Sequence, residues 1–235
     1  MKLPHRLMSI ANFIPAGSSV ADIGTDHALL PVYLIREGIA SRVIAGDLNE
    51  GPLEAACNNI REAGLADRIG VRRGDGLDIT WPGEVDTAVI AGMGGGTIRD
   101  ILKLAGETAA RLKRIVLQPM GDSGDLREWL AANGWRIEDE DLVREDGHIY
   151  EIILAVPGRE TETDRTLVSI GPRLFEKKHP LLAEMIKAKI RKNRKIIAAM
   201  QLSRSPETGI KQQRLMERTR KLERIADACQ VPDDN

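Results

Sequence analysis

Hydrophobic segments of two kinds alternate along residues 19–156. Short aliphatic runs, typical of buried strands, are separated by longer segments with the spacing of amphipathic helices. This pattern predicts seven strands, at residues 19–23, 42–45, 69–73, 85–91, 115–118, 135–143 and 148–156. Alternation of strands and helices predicts a parallel sheet with right-handed crossover connections.

The last two predicted strands break this alternation. They flank Glu145-Asp146-Gly147, a sequence typical of a tight hairpin. A hairpin at the end of a parallel sheet implies one antiparallel strand. We therefore predict, for residues 1–158, the α/β, Rossmann-like class I methyltransferase fold, with a seven-stranded sheet whose last strand is antiparallel. A short helix from Arg6 to Phe13 is expected to cover the cofactor edge of this sheet.

The pattern changes after Pro157-Gly158. Residues 159–171 are polar and are predicted to be a linker. Residues 172–235 show no strand pattern, and their apolar positions approximate helical faces. They are predicted to form a separate helical domain.

Two helices are predicted in this domain. The first covers residues 180–203 and is ended by Ser203-Arg204-Ser205-Pro206. The second carries Leu215, Leu222 and Cys229 at seven-residue spacing. Two helices joined by a short loop predict an antiparallel, coiled-coil-like hairpin.

The net charge of −1 conceals two parts of opposite charge. Residues 1–171 contain 18 Lys and Arg against 27 Asp and Glu, a net charge of −9. Residues 172–235 contain 16 and 8, a net charge of +8. A basic helical domain of this kind predicts contact with a polyanion such as a nucleic acid, although a solvated helix face would have the same composition.

The composition argues against several classes of protein, namely disulfide-rich, cysteine-metal, secreted and membrane-spanning proteins. Hydrophobic residues make up 42% of the chain and aromatic residues only 3%, so aliphatic side chains must form the core. The two cysteines, Cys57 and Cys229, provide neither a disulfide framework nor paired metal-ligand spacing, so no metal site is expected. No signal peptide or membrane-spanning run is expected, which indicates a cytoplasmic protein.

The first predicted strand ends in a turn that carries both glycine and carboxylates. In an open parallel sheet, ligands bind beyond the carboxyl ends of the strands. Gly24 allows a backbone to approach a ligand, whereas Asp22 and Asp26 would repel a pyrophosphate. S-adenosylmethionine is cationic and suits such a turn, which also lacks the G-x-G-x-x-G spacing of nicotinamide enzymes. Alternatively, Asp26 caps the following helix, and His27 is structural.

The next three strand ends supply further candidates for cofactor contact. Asp47 follows the second strand and could accept hydrogen bonds from ribose hydroxyls, or it could cap a helix. Gly74-Asp75-Gly76 follows the third strand and could bind an adenine amine, or it could be an ordinary turn. Met93 and Gly94 lie in the glycine run 92–96 after the fourth strand, which suits a flat base or is merely a flexible turn. Gln118-Pro119 could line the target pocket.

Several of these segments together resemble the bacterial tRNA (adenine-22-N1)-methyltransferase family. They are Asp-Ile-Gly-Thr-Asp-His-Ala at 22–28, Gly-Asp-Gly at 74–76, Ile-Ala-Gly-Met-Gly-Gly at 90–95, Leu-Gln-Pro at 117–119, Arg-Glu-Trp-Leu at 127–130 and Tyr-Glu at 150–151. The resemblance covers about residues 3–156, and the helical appendage resembles the family in layout and charge. Met120 stands where the family often has asparagine.

The resemblance implies methyl transfer from S-adenosylmethionine to N1 of an adenosine, position 22, in tRNA. Separately from the resemblance, we expect a cytoplasmic protein without metal or membrane partners. The oligomeric state is left open, with a monomer as the expectation. Asp26 is the predicted catalytic residue. The predicted cofactor-binding residues are Arg6, Asp22, Gly24, Asp26, His27, Asp47, Gly74, Asp75, Gly76, Met93 and Gly94. Three alternatives stay open, namely a methyltransferase acting on another RNA site or a small molecule, a non-catalytic RNA-binding protein, and a nicotinamide oxidoreductase.

Overall fold

The computed structural model describes residues 3–200 and 206–228. The chain divides into two compact units, Met1–Thr161 and Glu162–Asn235. The division falls inside the segment expected to be a linker, and part of that segment, Arg165–Ile170, is helical. It folds as a helix because the Asp164 carboxylate accepts a hydrogen bond from the backbone N–H of Thr166 and so caps its first turn.

The first unit, Met1–Thr161, alternates strands and helices. Its elements in chain order are α1 (His5–Asn12), β1 (Ser18–Ile23), α2 (Leu29–Arg36), β2 (Ala40–Asp47), α3 (Glu50–Glu62), β3 (Ile69–Arg73), a 3₁₀ turn (Gly76–Ile79), β4 (Thr87–Met93), α4 (Gly95–Leu104), α5 (Gly106–Ala110), β5 (Arg114–Pro119), α6 (Ser123–Ala132), β6 (Trp135–Glu145) and β7 (His148–Pro157).

The seven strands form one sheet in the order β3-β2-β1-β4-β5-β7-β6. Strands β1 to β5 are parallel, and β7 pairs antiparallel with both β5 and β6. This order confirms the predicted fold class. It places the carboxyl ends of β1, β2 and β4 side by side at one edge of the sheet. The strand order reverses between β1 and β4, and open α/β sheets bind their ligands at such a reversal.

Two aliphatic clusters cover the two faces of the sheet. Strand β1 contributes to both, because successive side chains point to opposite faces. Val20 packs into the cluster that includes residues of α1, α2 and α3, whereas Ala21 and Ile23 pack into the cluster that includes residues of α4 and α6. The expectation of a mainly aliphatic core is confirmed.

Two parts of the helix prediction differ from the structure. Helix α2 begins at Leu29 with Ala28 as its N-cap, so Asp26 does not cap it, because His27 and Ala28 both have a positive φ, of 56° and 50°. Helices α4 and α5 were not predicted, and α4 begins within the glycine run at Gly95. Glycine has poor helix propensity, so the sequence pattern gives no helix signal where α4 begins.

The second unit, Glu162–Asn235, is helical in its described part. It contains α7 (Arg165–Ile170), α8 (Pro172–Glu176), α9 (Leu182–Met200) and α10 (Pro206–Ala228). Antiparallel packing of α9 and α10 is shown by hydrogen bonds that join residue 193 to 219 and residue 212 to 197. The predicted helix break at Ser203-Arg204-Ser205 lies outside the described residues, and so does Cys229, the last residue of the predicted seven-residue spacing.

Candidate functional site

The turn after β1 is shaped by one close contact. Gly24 has a φ of +74°, and a Cβ at this position would overlap the terminal methyl group of Met93. The N–H groups of Gly24 and Thr25 both donate to the carbonyl oxygen of Gly46, at 2.8 and 2.9 Å. The turn therefore joins the ends of β1 and β2 and brings Met93 of β4 against Gly24. Three predicted strand ends meet here.

Asp22 is the buried carboxylate of this turn. It is the second-last residue of β1, and 7% of its surface is exposed. Burial raises the pKa of Asp22 from 3.8 to about 6, because the charged form loses its hydration. A cation bound next to this carboxylate would stabilise its charged form in place of the lost hydration, so the position suits a positively charged ligand.

Asp26 and His27 differ from Asp22 because both are open to solvent. Their side chains are 81% and 56% exposed, and His27 Nε2 lies 3.3 Å from Asp26 Oδ1. The backbone here is strained, since neither His27 nor Ala28 is a glycine and both adopt left-handed conformations. The Asn59 amide donates to the His27 carbonyl oxygen at 2.8 Å and helps to hold this conformation.

The ends of β2 and β3 also lie at this edge. The Asp47 carboxylate accepts a hydrogen bond from the backbone N–H of Asn49 at 2.7 Å, and the Asp47 carbonyl oxygen accepts one from Gly74. Asp75 is exposed and precedes the 3₁₀ turn. Gly74 and Gly76 have a packing role, because a Cβ on either would press against an isoleucine side chain.

The glycine run after β4 connects this edge with β5. The N–H of Gly95 donates to the carbonyl oxygen of Gly121 at 3.0 Å, and a Cβ on Gly95 would lie 2.8 Å from that oxygen. Gly95 is therefore required for close packing of α4 against the turn between β5 and α6. Gly94 precedes the helix in an extended conformation, and Met93 points back to Gly24.

The predicted cofactor ligand Arg6 has its contacts at the other half of the sheet. Its guanidinium donates to Gln118 Oε1 at 3.0 Å, lies 5.5 Å from the ring centroid of Tyr150, and approaches Glu145 at 3.9 Å. Gln118 is fully buried, and its Oε1 also accepts the N–H of Gly92 at 3.2 Å. Cofactor contact by Arg6 stays a prediction, whereas its contact with the ends of β5, β6 and β7 is a structural finding.

A buried ion network supports this half of the edge, and sequence reasoning did not find it. Arg127 of α6 donates to Glu140 at 2.6 Å and to Glu151 at 2.7 Å, and Ser123 donates to the other oxygen of Glu151 at 2.8 Å. The side chains of Arg127 and Glu140 are both 0% exposed. The only signal in the sequence is that Arg127 and Glu151 fall within segments that carry the family resemblance.

No helix among residues 3–200 and 206–228 is long and apolar enough to cross a membrane. Within the same ranges, no group of three or more His, Cys, Asp and Glu side chains could hold a metal ion.

Comparison with known proteins adds independent information. The profile of the tRNA (adenine(22)-N(1))-methyltransferase family matches residues 20–226. A curated protein of that description from Bacillus subtilis is 34% identical over 232 residues, 97% of each chain. The crystal structure of the B. subtilis m1A22 tRNA methyltransferase matches with a TM-score of 0.87 and 32% identity, over 96% of this chain and 99% of that chain. A Mycoplasma capricolum structure, solved with the cofactor product S-adenosylhomocysteine, matches with a TM-score of 0.83 and 26% identity, over 98% of this chain and 100% of that chain.

Proposed function

This chain belongs to the tRNA (adenine(22)-N(1))-methyltransferase family, and we propose that it performs the reaction for which that family is named. It transfers a methyl group from S-adenosylmethionine to N1 of adenosine 22 in tRNA. The observation that carries this conclusion is the family match over residues 20–226, which includes both the sheet edge at β1–β5 and the basic helices. The match favours tRNA over a small molecule as the substrate.

The reaction requires little acid–base catalysis by the protein. The N1 lone pair of the adenine forms a bond to the methyl carbon while the carbon–sulfur bond breaks and its electron pair stays on sulfur. The base gains a positive charge, and no proton has to leave. The protein must therefore align N1 with the methyl group and favour positive charge on the base.

The edge formed by β1 to β4 fits the methyl donor. When bound, S-adenosylmethionine supplies an electrophilic methyl group on a cationic sulfur. Asp22 provides a buried carboxylate for a cation, and the turns after β1, β3 and β4 present glycines. The residues proposed to hold it are Asp22, Gly24, Asp26, His27, Asp47, Gly74, Asp75, Gly76, Met93 and Gly94. Arg6 is proposed as a further cofactor contact, from its position at the neighbouring end of β5.

Affinity for S-adenosylmethionine should depend on pH through Asp22. Because its pKa is about 6 in the protein, the carboxylate is ionised at pH 7.5 and mostly protonated at pH 5. Since only the ionised form attracts a cation, the Kd measured by calorimetry should rise about tenfold between these pH values. The Asp22→Asn variant should bind weakly at both pH values. A wild-type Kd that stays constant down to pH 5 would exclude Asp22 from cation recognition.

Asp26 is proposed to favour positive charge on the base. Because its side chain is 81% exposed, water screens it, and we expect Asp26→Asn to reduce turnover only about five- to tenfold. The Kd for S-adenosylmethionine should rise by a smaller factor than the factor by which turnover falls. Asp67→Asn removes another exposed carboxylate of the same unit and serves as the control. Unchanged turnover in Asp26→Asn would remove Asp26 from the mechanism.

The helices of the second unit are proposed to bind the tRNA backbone. Helix α9 carries exposed Lys187, Arg191, Lys192 and Lys195, and cations of this kind bind phosphates. We propose that the protein acts on tRNA in the cytoplasm, as a monomer.

One experiment tests the proposed reaction directly. The protein is incubated with unmodified tRNA and S-adenosylmethionine that carries a labelled methyl group, and the methylated nucleoside is then identified and mapped. We expect 1-methyladenosine at position 22 and no label in free adenosine. Label at another nucleotide would show another RNA substrate site. Label in free adenosine would show a small-molecule methyltransferase.

A further inference from the structure

We propose that the target adenine enters a cavity at the carboxyl end of β5 and stacks on the ring of Tyr150. This inference rests on the proposed methylation of tRNA and adds the residue that receives the base. The cavity has a volume of about 210 Å³ and is lined by Pro119, Met120, Gly121, His148, Ile149, Tyr150 and Glu151.

The position of the cavity places it next to the proposed methyl donor. Pro119 pairs with Met93 across β5 and β4, and the N–H of Met120 donates to the carbonyl oxygen of Met93 at 2.8 Å. Met93 in turn packs against Gly24 in the turn after β1. A continuous series of contacts therefore leads from the carboxylate-bearing turn to the wall of the cavity. A base in the cavity would lie one strand away from Met93.

Tyr150 is suited to stacking because of its surroundings. Bases that leave their own stack are commonly held against aromatic side chains. The chain has only seven Phe, Tyr and Trp residues, and Tyr150 is the one that lines this cavity. His148 also lines it and meets the Tyr150 ring edge to face, with centroids 6.4 Å apart. The side chain of Met120 is 59% exposed and adds an apolar surface at the same cavity.

Arg6 acts as a positioning residue for this ring. Its guanidinium lies over Tyr150 at 5.5 Å from the ring centroid and is fixed by Gln118 and Glu145. Glu151, which also lines the cavity, is fixed by two hydrogen bonds, since its two oxygens accept from Ser123 and Arg127. The wall is thus held by residues of α1, β5, β6 and α6. A rigid wall aligns N1 with the methyl group without further ordering of the site.

The test compares two substitutions of the same residue. Tyr150→Phe keeps the ring, whereas Tyr150→Leu keeps an apolar side chain for the adjacent core and removes the ring. Because base stacking on an aromatic side chain contributes about 10- to 100-fold in affinity, we expect Tyr150→Leu to lower kcat/KM for tRNA by this factor. Tyr150→Phe should stay within threefold of the wild type. Both variants should bind S-adenosylmethionine with a Kd within twofold of the wild type.

A second readout reports stacking without turnover. A tRNA in which 2-aminopurine replaces the target adenosine becomes less fluorescent when that base stacks on an aromatic ring. Bound to Tyr150→Leu, it should be clearly brighter than when bound to the wild type or to Tyr150→Phe. Equal fluorescence in all three complexes would overturn the proposal.

Three other results would also contradict it. If Tyr150→Leu methylates tRNA within threefold of the wild type, the ring is not needed. If Tyr150→Phe loses as much activity as Tyr150→Leu, the hydroxyl group and not stacking is responsible. If Tyr150→Leu weakens S-adenosylmethionine binding as much as it weakens methylation, Tyr150 belongs to the cofactor site. Failure of the proposed function is distinguishable, because the wild-type protein itself would then not methylate tRNA.

Discussion

Replacement of Arg127 by methionine is expected to lower the free energy of unfolding by about 3–5 kcal/mol. The guanidinium is fully buried and donates to Glu140 at 2.6 Å and Glu151 at 2.7 Å. Methionine has a similar length and fills much of the same space, but it leaves two carboxylates without this donor. Removal of the positively charged partner of buried carboxylates is strongly destabilising, because that partner replaces the hydration they lost on folding.

Denaturation with urea, followed by circular dichroism, measures this change. Arg111→Met is the matched control, since Arg111 is paired with Glu107 on the surface, where both side chains are more than 60% exposed. It should change the free energy of unfolding by less than about 1 kcal/mol. The double variant Arg127→Met with Glu140→Gln should recover part of the loss, because one buried charge is removed. A loss below about 1 kcal/mol in Arg127→Met would show that the network contributes little to stability.

Removal of four positive charges from α9 is expected to weaken tRNA binding about 100-fold. The variant changes Lys187, Arg191, Lys192 and Lys195 to glutamine, all of them exposed. Binding to a nucleic acid backbone is driven by release of counterions, so the plot of log Kd against log salt should also become less steep, by about one unit for each lysine or arginine that contacts a phosphate. Fluorescence anisotropy of labelled tRNA at several salt concentrations measures both quantities.

The control for this variant removes the same amount of charge from the other unit. It changes four exposed cations of the first unit to glutamine, namely Arg36, Lys103, Arg111 and Lys113. We expect this control to bind tRNA within threefold of the wild type, and both variants to bind S-adenosylmethionine normally. Equal weakening in the two variants would mean that total charge, and not a surface on α9, determines tRNA affinity.

The sheet could be predicted from the sequence because its strands have strong local signals. Each parallel strand is a short aliphatic run, and Glu145-Asp146-Gly147 gives a clear hairpin. The start of α2 could not be predicted in this way. His27 and Ala28 adopt left-handed conformations that neither residue type favours, and they are held there by tertiary contacts such as the hydrogen bond from Asn59.

The common location of the candidate site residues could be predicted for the same reason. The carboxylates and glycines that follow β1 to β4 are close to their strands in sequence, so their common location follows from the topology. Contacts between distant segments could not be predicted. Arg6 and Gln118 are 112 residues apart, and Arg127 and Glu151 are 24 apart. No local pattern shows which carboxylate or amide a given arginine will contact.

Helix α1 is made before the strands that its polar side chains contact. Its Ser9 donates to Asp141 of β6, and its Arg6 contacts residues of β5, β6 and β7. Because β7 lies between β5 and β6 in the sheet, the edge strand β6 can join only after β7 has been made. On the ribosome, β1 to β4, the strands of the proposed cofactor edge, are therefore synthesised before β6 and β7, which form the surface that α1 contacts. A nascent chain that ends before His148 lacks the wall on which we place the adenine, so methyl transfer to tRNA requires the first unit to be finished.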